Sequence, residues 1–420
     1  MIRWLYSRAS TLRVVPLLVL LNLVPQGQDS SPRIGREQAA ADLRHWWAVV
    51  QAAHPRFEDA AARTHMGAAV ERTLLKFAEE ESHSAFHLKI ASLAGRLSDS
   101  HTYLRRPDQR PAPVLVQGAE LRLARDVDGV PAGTAIDRVG ALSANVALAI
   151  ARSAASGEND AARDANVPSL LPLLGTLSAA GRPIGFPPSD QRPALEIVWA
   201  AERIACMHVR TMAGDAAEFA AWFDRAFEEL SERPLDGLLI DLRGNAGGST
   251  AVGDALLSHI SPKPFRLFAE KIWRVSEPMQ RSLQGQPEFA DYVRSRAASE
   301  RYTLEARAPY VAHRLRVPVI VLINEHTASA AMMTAGAVQD FGLAVLVGRS
   351  PASPPNYFGE VYEFTLPHSR LVAGVSTARF TRPNGDAASR ARVAPDVVVV
   401  GDGILEVGLS LLEANRKPAR

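Results

Sequence analysis

Cysteine is nearly absent from this chain. Cys206 is the sole thiol in 420 residues, so an intramolecular disulfide and a cysteine-built zinc cage are both excluded. It lies in the apolar run 204–209 and reads as a small buried hydrophobe. Eleven histidines are present, but there is no H-E-x-x-H pair and no Cys/His cluster. Neither a metal site nor a cofactor is therefore expected. A surplus of one charge is also missing: 47 basic against 45 acidic residues leave +2, which gives no electrostatic basis for a nucleic-acid partner. Lysine is scarce. Only Lys76, Lys89, Lys263, Lys271 and Lys417 occur, so any chemistry that needs a neutral amine has few places to go.

Long hydrophobic runs are lacking as well. The most apolar stretch, Val14 to Val24, follows Arg3, Arg8 and Arg13 and is short for a bilayer span. Its length and flanks fit a signal-peptide core, and without a clean small-x-small cleavage site an uncleaved anchor is the alternative. Residues 1–30 are read as signal peptide or N-terminal anchor. The expectation is export to the periplasm or extracellular space, with membrane association through that segment. Apolar content of 47% with 22% charged residues is ordinary globular chemistry, and the length suits two or three domains.

From Glu37 to Arg105 the apolar residues recur at helical spacing: Leu43, Trp46, Trp47 and Val50, then Val70, Leu74 and Phe77, then Phe86, Ile90, Leu93 and Leu97. Residues 33–107 are expected to form a helical region, with His45, His54, His65, His83 and His87 at surfaces or boundaries. The Pro-rich break 107–113 ends it. Residues 111–195 read as a β-rich segment with a helix at Ala144 to Ala154, closing in a long Gly/Pro/Ser-rich excursion from Ser156 to Arg192. Residues 196–420 alternate strands with helices, which argues for a mainly parallel sheet. Glu277 to Tyr310 reads as charged, irregular surface.

Two segments of this last region bear chemistry. Val317 to Ile323 is a β-branched run with the pattern of a strand buried on both faces, and good helix formers run from Ala328 to Gln339 before Gly342. Ser329 falls where the strand turns into the helix. A hydroxyl there can be presented beside the free N–H groups of the first helical turn, which is how a nucleophile and half an oxyanion hole arise from one turn. An ordinary helix N-cap is the plainer alternative. The second segment, L-D-G-L-L-I-D-L-R-G-N-A-G-G-S (Leu235 to Ser249), is another buried strand running into a turn with Gly244, Gly247 and Gly248. Such glycines let backbone N–H groups approach a ligand closely.

Together, D-L-R-G-N-A-G-G followed by strand–N-x-x-T-A-S-A-A resembles the C-terminal processing peptidases (tail-specific proteases) and their tricorn-like relatives. The likeness extends to V-L-V-G-R-S (345–350), N-Y-F-G-E (356–360), F-T-L-P (364–367), V-A-P-D (393–396) and, upstream, L-S-D-S-H-T-Y-L (97–104). It implies an α/β fold with a ClpP/crotonase-like catalytic core over 196–420, an N-terminal helical region and a degenerate PDZ-like insertion over 111–195. It also implies a serine peptidase acting on polypeptide, with Ser329 as nucleophile and the amides of Ala330 and of Gly247 or Gly248 as oxyanion donors. Asp241, Arg243 and Asn245 would brace the glycine turn.

A lysine base is excluded by the sequence. The position where many family members carry it falls on Pro354, and no lysine lies between Lys271 and Lys417. Arginine cannot replace it, because it does not deprotonate near neutral pH. The tricorn-like branch uses a histidine from an upstream S-x-H or D-x-H segment, which His101 matches, with Ser100 as helper. Imidazole titrates near neutrality and suits the role. The third member is open: relatives place an acid where Ser389 stands, and Asp386, Glu360 and Asp99 are substitutes. The glutamate often found three residues after the nucleophile is Met332. These departures leave a competing expectation, an inactive member that keeps the fold to bind a peptide or apolar ligand, as related modules do in retinoid-binding proteins of the eye.

Overall fold

The computed structural model describes residues 32–186, 192–311 and 314–415. The apolar N-terminal segment lies outside them. Among the described residues no helix is long and apolar enough to cross a membrane.

The core is a six-stranded sheet in sequential order: β1 (Leu195–Ala201), β2 (Ile204–Val209), β3 (Gly237–Asp241), β4 (Val319–Ile323), β5 (Val345–Gly348) and β6 (Val397–Val398). β1 runs antiparallel to β2 and every later pairing is parallel. Parallel strands need helical crossovers, and helices cover both faces. On one face lie the helices Ala216–Ser231, Thr250–Ser258 and Ser329–Phe341, around Phe223, Phe227, Leu256, Val321 and Met332. On the other the C-terminal helix Ile404–Ala414 packs Leu412 among Cys206, Leu239 and Leu322. Cys206 is buried, and burial, with Asp241 nearby, pushes its thiol up to about 12. It is an inert core residue.

Beside this sheet stands an antiparallel one in the order Ser299–Thr303, Glu270–Arg274, Val372–Thr381, Tyr357–Thr365. The short strand Tyr103–Arg105 joins it by pairing with Val372 to Gly374. That ladder fetches the upstream histidine segment to the core. The N-terminal helices Arg36–Ala53, Ala60–Leu74 and His83–Gly95 pack on the same sheet, with Trp46, Phe57 and Phe86 meeting Leu104, Leu371 and Val375.

Residues 111–195 hold short strands and two helices, Ala144–Ala154 and Asp160–Leu170, around a separate apolar cluster that includes Leu148, Ile150 and Val167. The second helix begins where the sequence suggested an excursion, capped by Asn159, whose side chain accepts the Ala162 amide at 2.9 Å. These elements do not establish a PDZ module. Two other expectations are corrected. His54 and His87 are fully buried, not surface residues. The segment Glu277 to Tyr310 is anchored rather than irregular: Met279 and Tyr292 are buried, and the Tyr292 ring lies 4.4 Å from that of Trp273.

Candidate active site

The geometry is set by the turn between β4 and the helix Ser329–Phe341. Ser329 is the first helical residue and has φ +50. A left-handed conformation in a residue with a β-carbon costs about 1–3 kcal/mol and persists only where the surroundings impose it. Here they do. The Ala328 amide donates to the Asn245 carbonyl at 2.9 Å, and Asn324 and Thr327 clamp the turn to the neighbouring strand end. Thr327 Oγ1 donates to the Leu242 carbonyl at 2.9 Å, and Asn324 Oδ1 accepts the Gly244 amide at 2.9 Å. The strand–turn–helix motif and the glycine turn thus form one unit. Replacing Ser329 by glycine should remove the nucleophile yet stabilise the protein by about 1 kcal/mol, since glycine relieves the left-handed strain. A urea midpoint raised without a change in slope would show it.

Gly247 (φ +96) packs directly on this elbow. A β-carbon there would lie 2.6 Å from Ser329 Cβ and 2.8 Å from the Ala330 nitrogen. Its own amide, however, donates to Asn245 Oδ1 at 2.8 Å, so of the two glycines considered as oxyanion donors Gly247 is already committed. Its carbonyl accepts from the Met212 amide and the Ser249 amide donates to the Met212 carbonyl, at 2.9 and 2.8 Å. Because N–H and C=O of a trans peptide point opposite ways, the Gly248 amide faces away from Met212. The Ala330 amide, second in its helix, has no intrahelical acceptor. These two N–H groups are the candidate oxyanion donors beside Ser329.

The bracing residues act as the sequence suggests. Arg243 grips Asp241 through two bonds of 2.8 and 2.7 Å, and His208 Nδ1 lies 3.2 Å from the same carboxylate. Burial would raise the Asp241 carboxyl, but Arg243 and His208 outweigh it and hold it near 2. Asn245 Nδ2 donates to the Val209 carbonyl at 2.8 Å. His208 is a partner that the sequence did not single out.

His101 lies across a cleft of about 360 Å³ that it lines together with Ser100, Ser353 and the elbow residues Ala246 and Ala328. Its turn is built by Asp99, fully buried, whose Oδ1 accepts the His101 amide at 2.9 Å and whose Oδ2 accepts from Thr102 Oγ1 at 2.6 Å. His54 Nδ1 accepts the Arg56 amide, so its Nε2 donates to Asp99 Oδ2 at 3.2 Å. Burial alone would raise the Asp99 carboxyl, but His54 and its other partners leave it below the usual carboxylate range. The His101 ring rests on that of Tyr357, centroids 5.1 Å apart. Tyr357 is buried, which raises its phenol, and the nearby Ser329 side chain only partly offsets this. It therefore stays neutral, its hydroxyl donating to Met333 Sδ at 2.9 Å and its ring against the imidazole.

Other candidates stand elsewhere. The Glu360 carboxylate pairs with Lys271 Nζ at 2.8 Å, and that ammonium lies over the Trp273 ring. Asp386 caps its own turn by accepting the Ala388 and Ser389 amides at 3.1 Å. Ser100 Oγ donates instead to Glu158 Oε2 at 2.6 Å, a residue the sequence reading passed over. The Asn159 cap and the helical run after it were the signal that a fixed loop precedes this helix. Asp99, His101 and Glu158 each bring one potential ligand atom within 4.8 Å of the others. Both carboxylates are nonetheless filled by N–H and O–H donors, which a cation would have to displace, so the residues do not favour a metal.

A serine strained into a strand-to-helix elbow on a parallel sheet, with a glycine turn against it, defines an α/β serine-type peptidase core. Residues 203–399 match the model of peptidase family S41. Among solved structures the chain is similar to mature CPAF, at 15% identity over 90% of this chain and 96% of that one, TM-score 0.61. Mature CPAF complexed with lactacystin matches at 15% identity over 90% and 97%, TM-score 0.60. A photosystem II D1 C-terminal processing protease matches at 16% identity over 90% and 98%, TM-score 0.49. No curated protein sequence matches. At these identities the structural likeness speaks for the fold, and the family match for the class. Over 203–399 the chain is thus similar to peptidase family S41, and the class this supports is a serine-type peptidase.

Proposed function

We propose that the protein is an exported serine endopeptidase that cleaves polypeptide through an acyl-enzyme on Ser329, with His101 as general base. The observation that carries this is the elbow itself. Ser329 is the one non-glycine residue of that turn with a positive φ, and Gly247 leaves no room for a β-carbon against Ser329 Cβ and the Ala330 nitrogen; both support presentation of the hydroxyl to the amides of Ala330 and Gly248. His101 accepts the proton as Ser329 Oγ attacks the carbonyl carbon, and the carbonyl oxygen, now negative, is held by the two amides. The imidazolium then returns its proton to the leaving amine. Water repeats the sequence to release the acyl group and regenerate the serine.

Export rests on the basic and apolar pattern of the first 30 residues. The test of catalysis is labelling of the purified protein with a fluorophosphonate probe. The parent should label, and Ser329→Ala should not. Label retained in Ser329→Ala would place the nucleophile elsewhere, and an unlabelled parent would favour the binding-only alternative.

A further inference from the structure

We propose that Glu158 is the acid of this site, a positioning residue that orients His101 and supports its charged form, delivered from the loop between the two helices of the 111–195 region. The inference rests on the Ser329–His101 reading above. Glu158 Oε2 accepts from Ser100 Oγ at 2.6 Å and from Ser353 Oγ at 2.9 Å, while Oε1 accepts the Ser100 amide at 3.1 Å. One oxygen of this carboxylate lies within 4.8 Å of a His101 ring nitrogen. The carboxylate therefore joins the residue preceding the base to the loop that follows β5. Ser353 adjoins Pro354, the position where lysine-dependent relatives carry their base.

The loop is held on both sides. Asn159 Nδ2 donates to the Ala352 carbonyl at 3.0 Å, and Asn166 Nδ2 to the Ser156 carbonyl at 2.9 Å. A carboxylate on such a loop keeps its place without spending side-chain entropy during the reaction. The competing acids are otherwise occupied. Glu360 belongs to Lys271 and Asp386 to its own turn. Asp99 is the other acid beside the ring, its Oδ1 3.9 Å from His101 Nδ1, a nitrogen that is buried without a hydrogen-bond partner; Asp99 builds the His101 turn, and the variants below separate the two carboxylates.

In the reaction the proton passes from Ser329 Oγ to His101 and on to the leaving amine. Glu158 takes no proton and breaks no bond; it stabilises the imidazolium that forms between those transfers. The ionisable groups around the imidazole are Asp99 on its own turn, Glu158 from the 111–195 region, and Tyr357 from the antiparallel sheet, with the Glu360–Lys271 pair beyond Tyr357.

Glu158→Gln keeps the size and removes the charge. It should lower kcat/KM about 10- to 100-fold, mostly in kcat. It should also move the acid limb of the pH–rate profile to lower pH, because a lost anion makes the imidazole easier to deprotonate. Glu158→Asp should restore the parent limb and part of the rate, which a purely structural role would not do. An unchanged rate and limb in Glu158→Gln, with the limb moved instead by Asp99→Asn, would overturn the assignment. A histidine NMR titration of Ser329→Ala protein, with and without Glu158→Gln, decides the matter apart from turnover. The His101 signal should titrate at lower pH without the carboxylate, and an unmoved midpoint would overturn the proposal. Should the parent fail to label with fluorophosphonate while that midpoint still depends on Glu158, the peptidase reading falls and the placement of the acid stands.

Discussion

Replacing His101 by alanine should lower turnover by on the order of 10²-fold or more, with the fold intact. The ring is only partly buried, and what it touches is Tyr357, which keeps its own packing against Phe380. Little structure therefore depends on the imidazole. Chemistry does, because a serine hydroxyl needs an acceptor for its proton, and neither the elbow nor the glycine turn supplies one. Parent turnover should rise with pH as an imidazole deprotonates, and the His101→Ala profile should lose that limb. Lys263→Met should leave turnover nearly unchanged. Comparing pH–rate profiles of the three proteins checks this; an inactive Lys263→Met beside an active His101→Ala would refute the histidine mechanism.

Gly247→Ala should lower kcat by on the order of 10²- to 10³-fold, the range for losing an oxyanion donor. The added methyl would meet Ser329 Cβ at 2.6 Å and the Ala328 carbonyl oxygen at 2.8 Å. It can be accommodated only by moving the Ser329 elbow and the glycine turn apart, which separates the Ala330 amide from that of Gly248. Stability should fall too, by about 1–3 kcal/mol, from the left-handed φ and the overlap. Gly118→Ala separates the two effects: its φ is +61 but nothing lies within 4 Å of the new methyl. It should cost about 1 kcal/mol of stability and no turnover. Urea unfolding and initial rates on both variants give the comparison, and a fully active Gly247→Ala would remove the elbow from the chemistry.

Much of the nucleophile's side was legible in the sequence. The apolar run ending at Ile323 and the helix formers after Ala328 are local patterns, and local patterns fix where Ser329 falls. The glycines after Leu242 announce a turn for the same reason. β4 is shorter than the apolar run that announced it, beginning at Val319 rather than Val317. What the sequence did not show is the base's surroundings. His54 reaches Asp99 across 45 residues, and Ser353 reaches Glu158 across 195. No periodicity encodes such pairs; they follow from the packing of segments far apart in the chain. His54 looked like a boundary residue because it precedes Pro55. It became a buried one because Asp99 gave its Nε2 an acceptor.

That docking rests on three residue pairs, and beneath it Gly374 leaves so little room that a β-carbon would sit 2.6 Å from the Tyr103 ring. A larger residue at 374 would press on the Tyr103 ring, two residues beyond His101, at a point away from Ser329, its helix and the glycine turn. Descent with loss of activity can therefore proceed through a position remote from every reacting atom. A lineage that took this route would still display an intact serine motif while its base stood out of place.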